Sequence, residues 1–425
     1  MSRSTSPSTA ARLPTNVPVL ILRLQGTRYP YVCADIARTL GRLGIEVYLL
    51  HAGDPRADGR SHWLRRAFRI PSAGAELETL VSLGSTLAGG TRPVLIAVDD
   101  PAAFFVDEHA DELSPQFLFP RQPGGLVDRL SNKGRLHELC AEIGLSSPPV
   151  TPVDSQGQLQ EIARSLPYPI VLKVADARVR QSRSVAVASS PEELLRFAGD
   201  MQAQPDATNL LIQEYVAGGP GDVWMFNGYF GADSNPRFAG TARKLRQYPA
   251  DSGVASLGVC EPNARIHDSA LKLAEATGYR GAIDIDYRYD ARDDAFKILD
   301  VNPRVGTSFR LFADARGADV VQAMYFDLLG ARVDSGAPVL GRRWIVENYD
   351  LRSAISSIAR GQLTAAGWVG SLRGVDEAAW FARDDPAPFA AMVLDSVADL
   401  ARMAASRVVR AASALLTRLG YRRSQ

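Results

Sequence analysis

The chain has 425 residues, too many for one ordinary compact core, so two or three lobes are expected. Apolar residues make up 46% and charged residues 22%, the balance of a soluble globular protein, and the net charge is only +1. That excludes a global field drawing the chain to nucleic acid or to an anionic membrane, and leaves any anionic ligand to be held by local charge. Cys33, Cys140 and Cys260 are far apart and the five histidines form no metal-binding spacing. A disulfide framework or zinc site is therefore not expected, and a cytoplasmic setting is.

In chain order, residues 1–16 are rich in Ser, Thr, Arg and Pro and read as a disordered leader without the apolar core of a signal peptide. No stretch is apolar enough to span a bilayer. Val17 to Leu24 reads as a buried strand, Tyr31 to Leu43 as a helix stopped by Gly44, and Ile45 to Leu50 and Val94 to Val98 as further parallel strands. Residues 17–120 are thus a Rossmann-like domain, without the G-x-G-x-x-G fingerprint of dinucleotide binding. Asn132 to Ile143 is a helix, and Pro148-Pro149 marks a linker. Ile170 to Val174 is an apolar strand holding one cation, Lys173. Glu192 to Ala203 is a helix with Ser190 as cap and Pro191 at its first position. Leu210 to Val216 is a strand leading into a Gly-rich turn. Val223 to Phe230 and Pro236 to Ala242 follow as strands, and Ile266 to Thr277 as a helix. Ala282 to Tyr289 and Phe296 to Val301 form a hairpin-like pair, with Asp290, Asp293 and Asp294 solvating its turn. Ala318 to Leu329 is a helix. Periodicity then weakens until Phe389, where an Ala-rich helical tail with arginines on one face begins.

The pattern that carries most chemistry is Asp286 on one strand of that pair and Asp300 and Asn302 on the other. Alternate residues share a face, so pairing would bring three oxygen ligands together. Oxygen-only donors suit magnesium, and an acid and an amide inside an apolar strand are costly without a partner. Lys173 needs an anionic partner for the same reason. Arg243, Lys244 and Arg246 cannot all face one side of an unbroken strand. Either one of them faces solvent or the strand bends there, and a solvated basic edge stays open as a third reading.

The run Leu299-Asp-Val-Asn-Pro-Arg304 resembles the E-[IVL]-N-P-R segment of the ATP-grasp superfamily, with Asp in place of Glu. The resemblance implies an ATP-grasp fold, α/β and α+β. A pre-ATP-grasp domain at 17–120 precedes an ATP-grasp domain at 121–335 whose lid spans about 150–216, and a C-terminal extension with the helical tail covers 336–425. It implies that Asp286, Asp300 and Asn302 hold magnesium, with manganese able to substitute, and that Arg304 steadies the transferred phosphate. Tyr168-Pro-Ile-Val-Leu-Lys173 is similar to the family strand whose lysine reaches the ATP phosphates, and Lys133 resembles the second phosphate lysine. Gln213-Glu214-Tyr215-Val216 resembles the adenine hinge, with Glu214 accepting from the exocyclic amine. Asp222 stands where an acid approaches the ribose. The loop 176–184 departs from the family in lacking glycine. It either grips with its arginines or is a mobile basic loop, and the second is the preferred reading.

Arg243-Lys-Leu-Arg-Gln-Tyr-Pro249 is similar to the basic segment of the carboxylate–amine ligases nearest to D-aspartate ligase, as are Trp344-Ile-Val-Glu347, Trp368 and Asp384-Asp-Pro386. There a basic residue, here Arg243 or Lys244, faces the carboxylate being activated. The resemblance implies an ATP- and magnesium-dependent ligase acting on small-molecule carboxylate and amine substrates, those of an amino acid or small peptide. It implies no nucleic acid partner and no membrane span, and it admits a homodimer. Carboxylation or phosphoryl transfer on the same fold, and a nucleotide-binding scaffold without activity, are the alternatives left open.

Overall fold

The computed structural model describes residues 14–25, 31–53, 57–153, 155–175, 185–202, 210–249, 253–331, 336–398 and 402. Four short strands build an N-terminal sheet: β1 (Val19–Arg23), β2 (Val47–His51), β3 (Leu64–Arg69) and β4 (Val94–Ala97). Their order is β3-β2-β1-β4, and every pairing is parallel. β1 is covered on both faces, which is why it reads as an unbroken apolar run rather than an alternating one. The helix Asp100–Glu108 follows β4, with Asp99 as its cap accepting from Ala102 N at 2.9 Å.

A second sheet contains β5 (Val150–Val153), β6 (Ile170–Val174), β7 (Val185–Ala188) and β8 (Leu210–Glu214), in the antiparallel order β5-β8-β6-β7. The helices Gln156–Ser165 and Pro191–Gln202 belong to the same unit, and the second begins at Ser190, whose hydroxyl accepts from Glu193 N. Leu172, Leu194, Phe197 and Ile212 give this unit a core of its own.

The third sheet is the largest. It comprises β9 (Val223–Phe230), β10 (Pro236–Tyr248), β11 (Val254–Cys260), β12 (Gly281–Asp290), β13 (Ala295–Asn302), β14 (Arg343–Ile345) and β15 (Glu377–Ala378), in the order β13-β12-β9-β10-β11-β14-β15. One face, with Phe226, Ile285 and Tyr287, packs on the helices Ala264–Thr277 and Lys133–Glu142 through Leu273 and Leu139. On the other side Met225, Phe309 and Trp344 share a core with Tyr31 and Ile36 of the helix Tyr31–Gly41. Buried Arg38 on that helix fastens the N-terminal sheet to the C-terminal region, donating to Ala379 O and Trp380 O at 2.7 Å and to Asp385 at 2.9 Å.

Two departures from the sequence expectations bear on the site. β10 does not stop near Ala242 but runs on to Tyr248, carrying the basic segment with it. Within the expected C-terminal extension, β14 and β15, which the sequence reading did not mark as strands, add to the largest sheet. Residues 389–398 of the expected tail are helical, in a helix that begins at residue 387, while most of the tail, the loop 176–184 and most of the leader lie outside the described residues.

Candidate functional site

β12 and β13 pair antiparallel with Asp286 opposite Asp300 and Asp284 opposite Asn302. All four side chains rise from one face, because Ile283, Ile285 and Val301 between them turn into the opposite core. A bulge follows: Tyr287 pairs with Ile298, so Leu299 has no partner in the ladder. The extra residue lets Ile298 and Val301, three apart, face the same core. The carbonyl of Leu299 accepts from Lys173 Nζ at 3.2 Å. The bulge thereby ties the second sheet to the carboxylates.

Three lysines converge on the pair from three other elements. Lys133, at the start of the helix Lys133–Glu142, ion-pairs with Asp300. Its backbone N–H bonds Ala175 O just beyond β6. Lys244 on β10, with a side chain only 4% exposed, reaches Asp286 at 2.8 Å. Lys173 on β6 is buried, and desolvation pulls its pKa down to about 8 despite the nearby Asp300, with Lys133 adding to the fall. Burial works to raise the Asp300 pKa, but Lys133 and Lys173 outweigh it and hold the carboxylate below its usual range.

Asp284 was not singled out from the sequence, although its spacing of two from Asp286 was the available signal. It is buried, and burial followed by the charge of Asp286 pushes its pKa up to about 6. Asn227 and Asn302 both donate to its carboxylate at 3.4 Å. Gly306 has to be glycine here, since a Cβ would come within 2.6 Å of Asp284 and Asn227. Asn302 is thus held through its amide, and its Oδ1 accepts from Arg304 at 3.3 Å.

Arg304 is anchored from the N-terminal domain, donating to Asp100 at 2.6 Å. Burial opposes its charge, but Asp100 and Asp284 outweigh burial and raise its pKa. Asp100 could not be assigned from the sequence because it lies 204 residues away.

The basic segment separates cation by cation. Ala242 pairs with Met225 and Arg243 with Trp224, so Ala242 and Lys244 share the face that carries Asp286. Arg243 lies on the alternate face and forms two 2.8 Å bonds with Glu261. The ladder slips on either side of Arg246, an irregularity of the kind that alternation left open as one of its readings. Arg246 grips buried Asp350 with bonds of 2.7 and 2.9 Å, and Trp368 Nε1 donates to the same carboxylate at 2.9 Å.

Glu214 ends β8, and its carboxylate pairs with Arg292. Tyr215 lies under the Arg288 guanidinium, 5.7 Å from its ring centre, and Val216 is buried. Asp222 accepts from Gly219 N at 2.6 Å and closes the turn after them. Gly218 there has φ 148°, where a Cβ would also collide with the Asp222 carboxylate. Asp290, read from the sequence as a solvating acid, is instead buried, holding Arg292 at 2.6 Å and Lys297 at 2.7 Å. Those two cations depress its pKa strongly.

The donors facing outward at the pair are Asp286, Asp300 and Asn302, with side-chain exposures of 27% and 33% for the two acids. Among the described residues no group of three or more His, Cys, Asp or Glu side chains is placed to hold a metal. Two carboxylates and an amide match the chemistry of magnesium, which takes one or two carboxylates and completes its shell with phosphates and water. Among the described residues zinc and softer metals find no imidazole or thiolate here.

Comparison with known proteins bears on the fold. The family model of the carbamoyl-phosphate synthase L chain ATP binding domain matches residues 260–333, which include β12 and β13. A D-aspartate ligase of Enterococcus faecium is 25% identical over 226 residues, 51% of this chain and 54% of that protein. The match spans about half the length of that curated relative. Among solved structures, an L-amino acid ligase from Bacillus licheniformis superposes with a TM-score of 0.54 at 14% identity, covering 74% of this chain and 75% of that one. An N5-carboxyaminoimidazole synthetase from Staphylococcus aureus complexed with ADP gives 0.59 at 11% identity, covering 77% and 81%. The chain has the ATP-grasp fold, and its sequence resemblance lies with the carboxylate–amine ligase group of D-aspartate ligase.

Proposed function

We propose that this chain is an ATP- and magnesium-dependent ligase that activates the carboxylate of an amino acid or small peptide as an acyl phosphate and joins it to an amine. One observation carries the reading: Asp286 and Asp300 face each other across β12 and β13, Lys133 and Lys244 ion-pair with them from two other elements, and buried Lys173 on a third bonds the adjoining Leu299 carbonyl. Carboxylates and ammonium groups gathered in one half-buried place suit a bound polyphosphate and its cation.

In this reading the segment Glu214–Val216 receives the adenine. Glu214 still has acceptor capacity beyond its bond to Arg292, since a carboxylate offers about four lone-pair sites. Asp222 lies near the ribose hydroxyls, and Lys173 and Lys133 turn to the phosphates. Magnesium on Asp286, Asp300 and Asn302 supplies positive charge where the phosphoryl group transfers. Lys244 is the basic residue that faces the activated carboxylate, while Arg243 is engaged by Glu261. Arg304, fixed by Asp100 and Asn302, opposes Lys244 across the acyl phosphate. A carboxylate resists amines because oxide is a poor leaving group. Phosphorylation replaces it with a good one, and positioning and charge stabilisation do most of the catalytic work.

The test is a matrix of amino acids and dipeptides, offered in pairs with ATP and magnesium. Inorganic phosphate and coupled products are read by colorimetry and mass spectrometry. Phosphate release is expected only when a carboxylate and an amine are both present, with one amide formed per phosphate. Release with bicarbonate as the sole co-substrate, or a stable phosphorylated product, would replace the ligase reading.

A further inference from the structure

The helix Glu347–Ala359 packs on β10 and β11, with Ser353 and Ala354 buried and Ser353 Oγ donating to Gln247 O at 2.8 Å. Its other side carries Leu351, Ile355 and Ile358, which are 45%, 60% and 37% exposed. That spacing puts all three on one stripe of the helix. Val369, on the neighbouring helix Ala365–Ser371, is exposed as well. Scattered apolar residues at a surface need no explanation, but a stripe of them turned to water marks an interaction face.

The charge around the stripe has one sign. From residue 351 to residue 375 there is no Asp or Glu, and the charged side chains are Arg352, Arg360 and Arg373. The chain as a whole is nearly neutral, at +1, so this is a local excess. The sign decides among the occupants. A second copy laid on this stripe about a two-fold axis would bring like charges together. Residues 400–425 of the chain itself hold six arginines and no acid, so they carry the same charge. Nucleic acid would meet the arginines and leave Leu351, Ile355 and Ile358 without an apolar partner. An anionic bilayer surface satisfies both, its acyl chains taking the apolar side chains and its headgroups the guanidinium groups.

We propose that the face formed by Leu351, Ile355, Ile358 and Val369, with Arg352, Arg360 and Arg373 beside it, docks on the surface of a membrane that contains anionic lipid. The helix Glu347–Ala359 lies along such a surface and does not cross it, since no helix among the described residues is long and apolar enough to span a bilayer. Arg246 fastens both helices to β10, through Asp350 and Ser371, and β10 also carries Lys244. The face is separate from the carboxylate pair and does not depend on the ligase reading.

The experiment is sedimentation of the full chain with vesicles of phosphatidylcholine alone or of phosphatidylcholine mixed equally with phosphatidylglycerol. The native protein is expected to bind the mixed vesicles at least about tenfold more tightly than the neutral ones, and more weakly as salt rises. Replacing Leu351, Ile355 and Ile358 together by Ser is expected to lower binding to the mixed vesicles by at least about tenfold. Replacing Arg352, Arg360 and Arg373 together by Gln is expected to erase the preference for anionic lipid. Circular dichroism establishes that both variants fold. A native chain that stays off the mixed vesicles would overturn the assignment, whether it instead binds duplex DNA or dimerises in the ultracentrifuge. Native-strength vesicle binding by both variants would also overturn it, because the contact would then lie elsewhere in the chain. No nucleotide or substrate is present, so neither result bears on whether the chain is a ligase.

Discussion

Asp300→Asn is expected to lower phosphate release by at least about a hundredfold, the scale seen when a charge-stabilising group is removed from a reacting centre. The substitution keeps the shape of the side chain and removes its charge. Lys133 then loses its ion pair. Lys173 loses the anion that most offsets its desolvation, so its pKa should fall further below about 8. The amide could still offer one oxygen to a cation, but not the negative charge that fixes it opposite Asp286. Turnover is to be followed by phosphate release, with circular dichroism to establish that the fold is kept. Native turnover in this variant with every active substrate pair would remove Asp300 from the centre.

Lys173→Met is expected to weaken ATP binding by about ten- to a hundredfold, since it deletes a buried ammonium that would contact phosphate in the ground state. The native protein should show a matching pH signature. Burial has lowered the Lys173 pKa to about 8, so the ammonium is charged below that value and discharged above it. ATP affinity should therefore fall as pH rises through about 8, over a range where the terminal phosphate of the nucleotide is already ionised. Lys173→Arg keeps its charge and should bind ATP almost independently of pH between 7 and 9. Calorimetry at those two pH values separates the three proteins. A native affinity that does not change with pH, together with full affinity in Lys173→Met, would mean that the lysine serves only the bulge at Leu299.

Much of the frame was legible because it rests on local periodicity. The apolar runs of β1, β4, β6 and β9 and the alternation along β12 and β13 each specify a strand without help from distant partners. β11 was not legible because Ser256 and Gly258 interrupt its apolar pattern, and β14, at three residues, is too short to show one. The bulge at Leu299 is set by how β13 meets β12, not by any residue preference within β13.

The candidate site shows the same limit. The positions of Asp286, Asp300 and Asn302 followed from two strands that pair. What each cation binds did not, because Glu261, Asp350 and Asp100 lie 18, 104 and 204 residues from Arg243, Arg246 and Arg304. Alternation along β10 showed only that the three basic residues must diverge. The slipped ladder around Arg246 and the buried Asp350 decided where Arg246 goes. Asp284 could have been found by extending the period-two reading by one step.

The most direct test of the account is the fate of carboxylate oxygen. If the carboxylate is activated as an acyl phosphate, attack by the amine leaves one carboxylate oxygen on the departing phosphate. Amino acids labelled with oxygen-18 in their carboxylates would be incubated with the chain, ATP, magnesium and an amine, and the inorganic phosphate analysed by mass spectrometry. The account predicts one labelled oxygen in the phosphate for each amide formed. Unlabelled phosphate accompanying the same amide would contradict it.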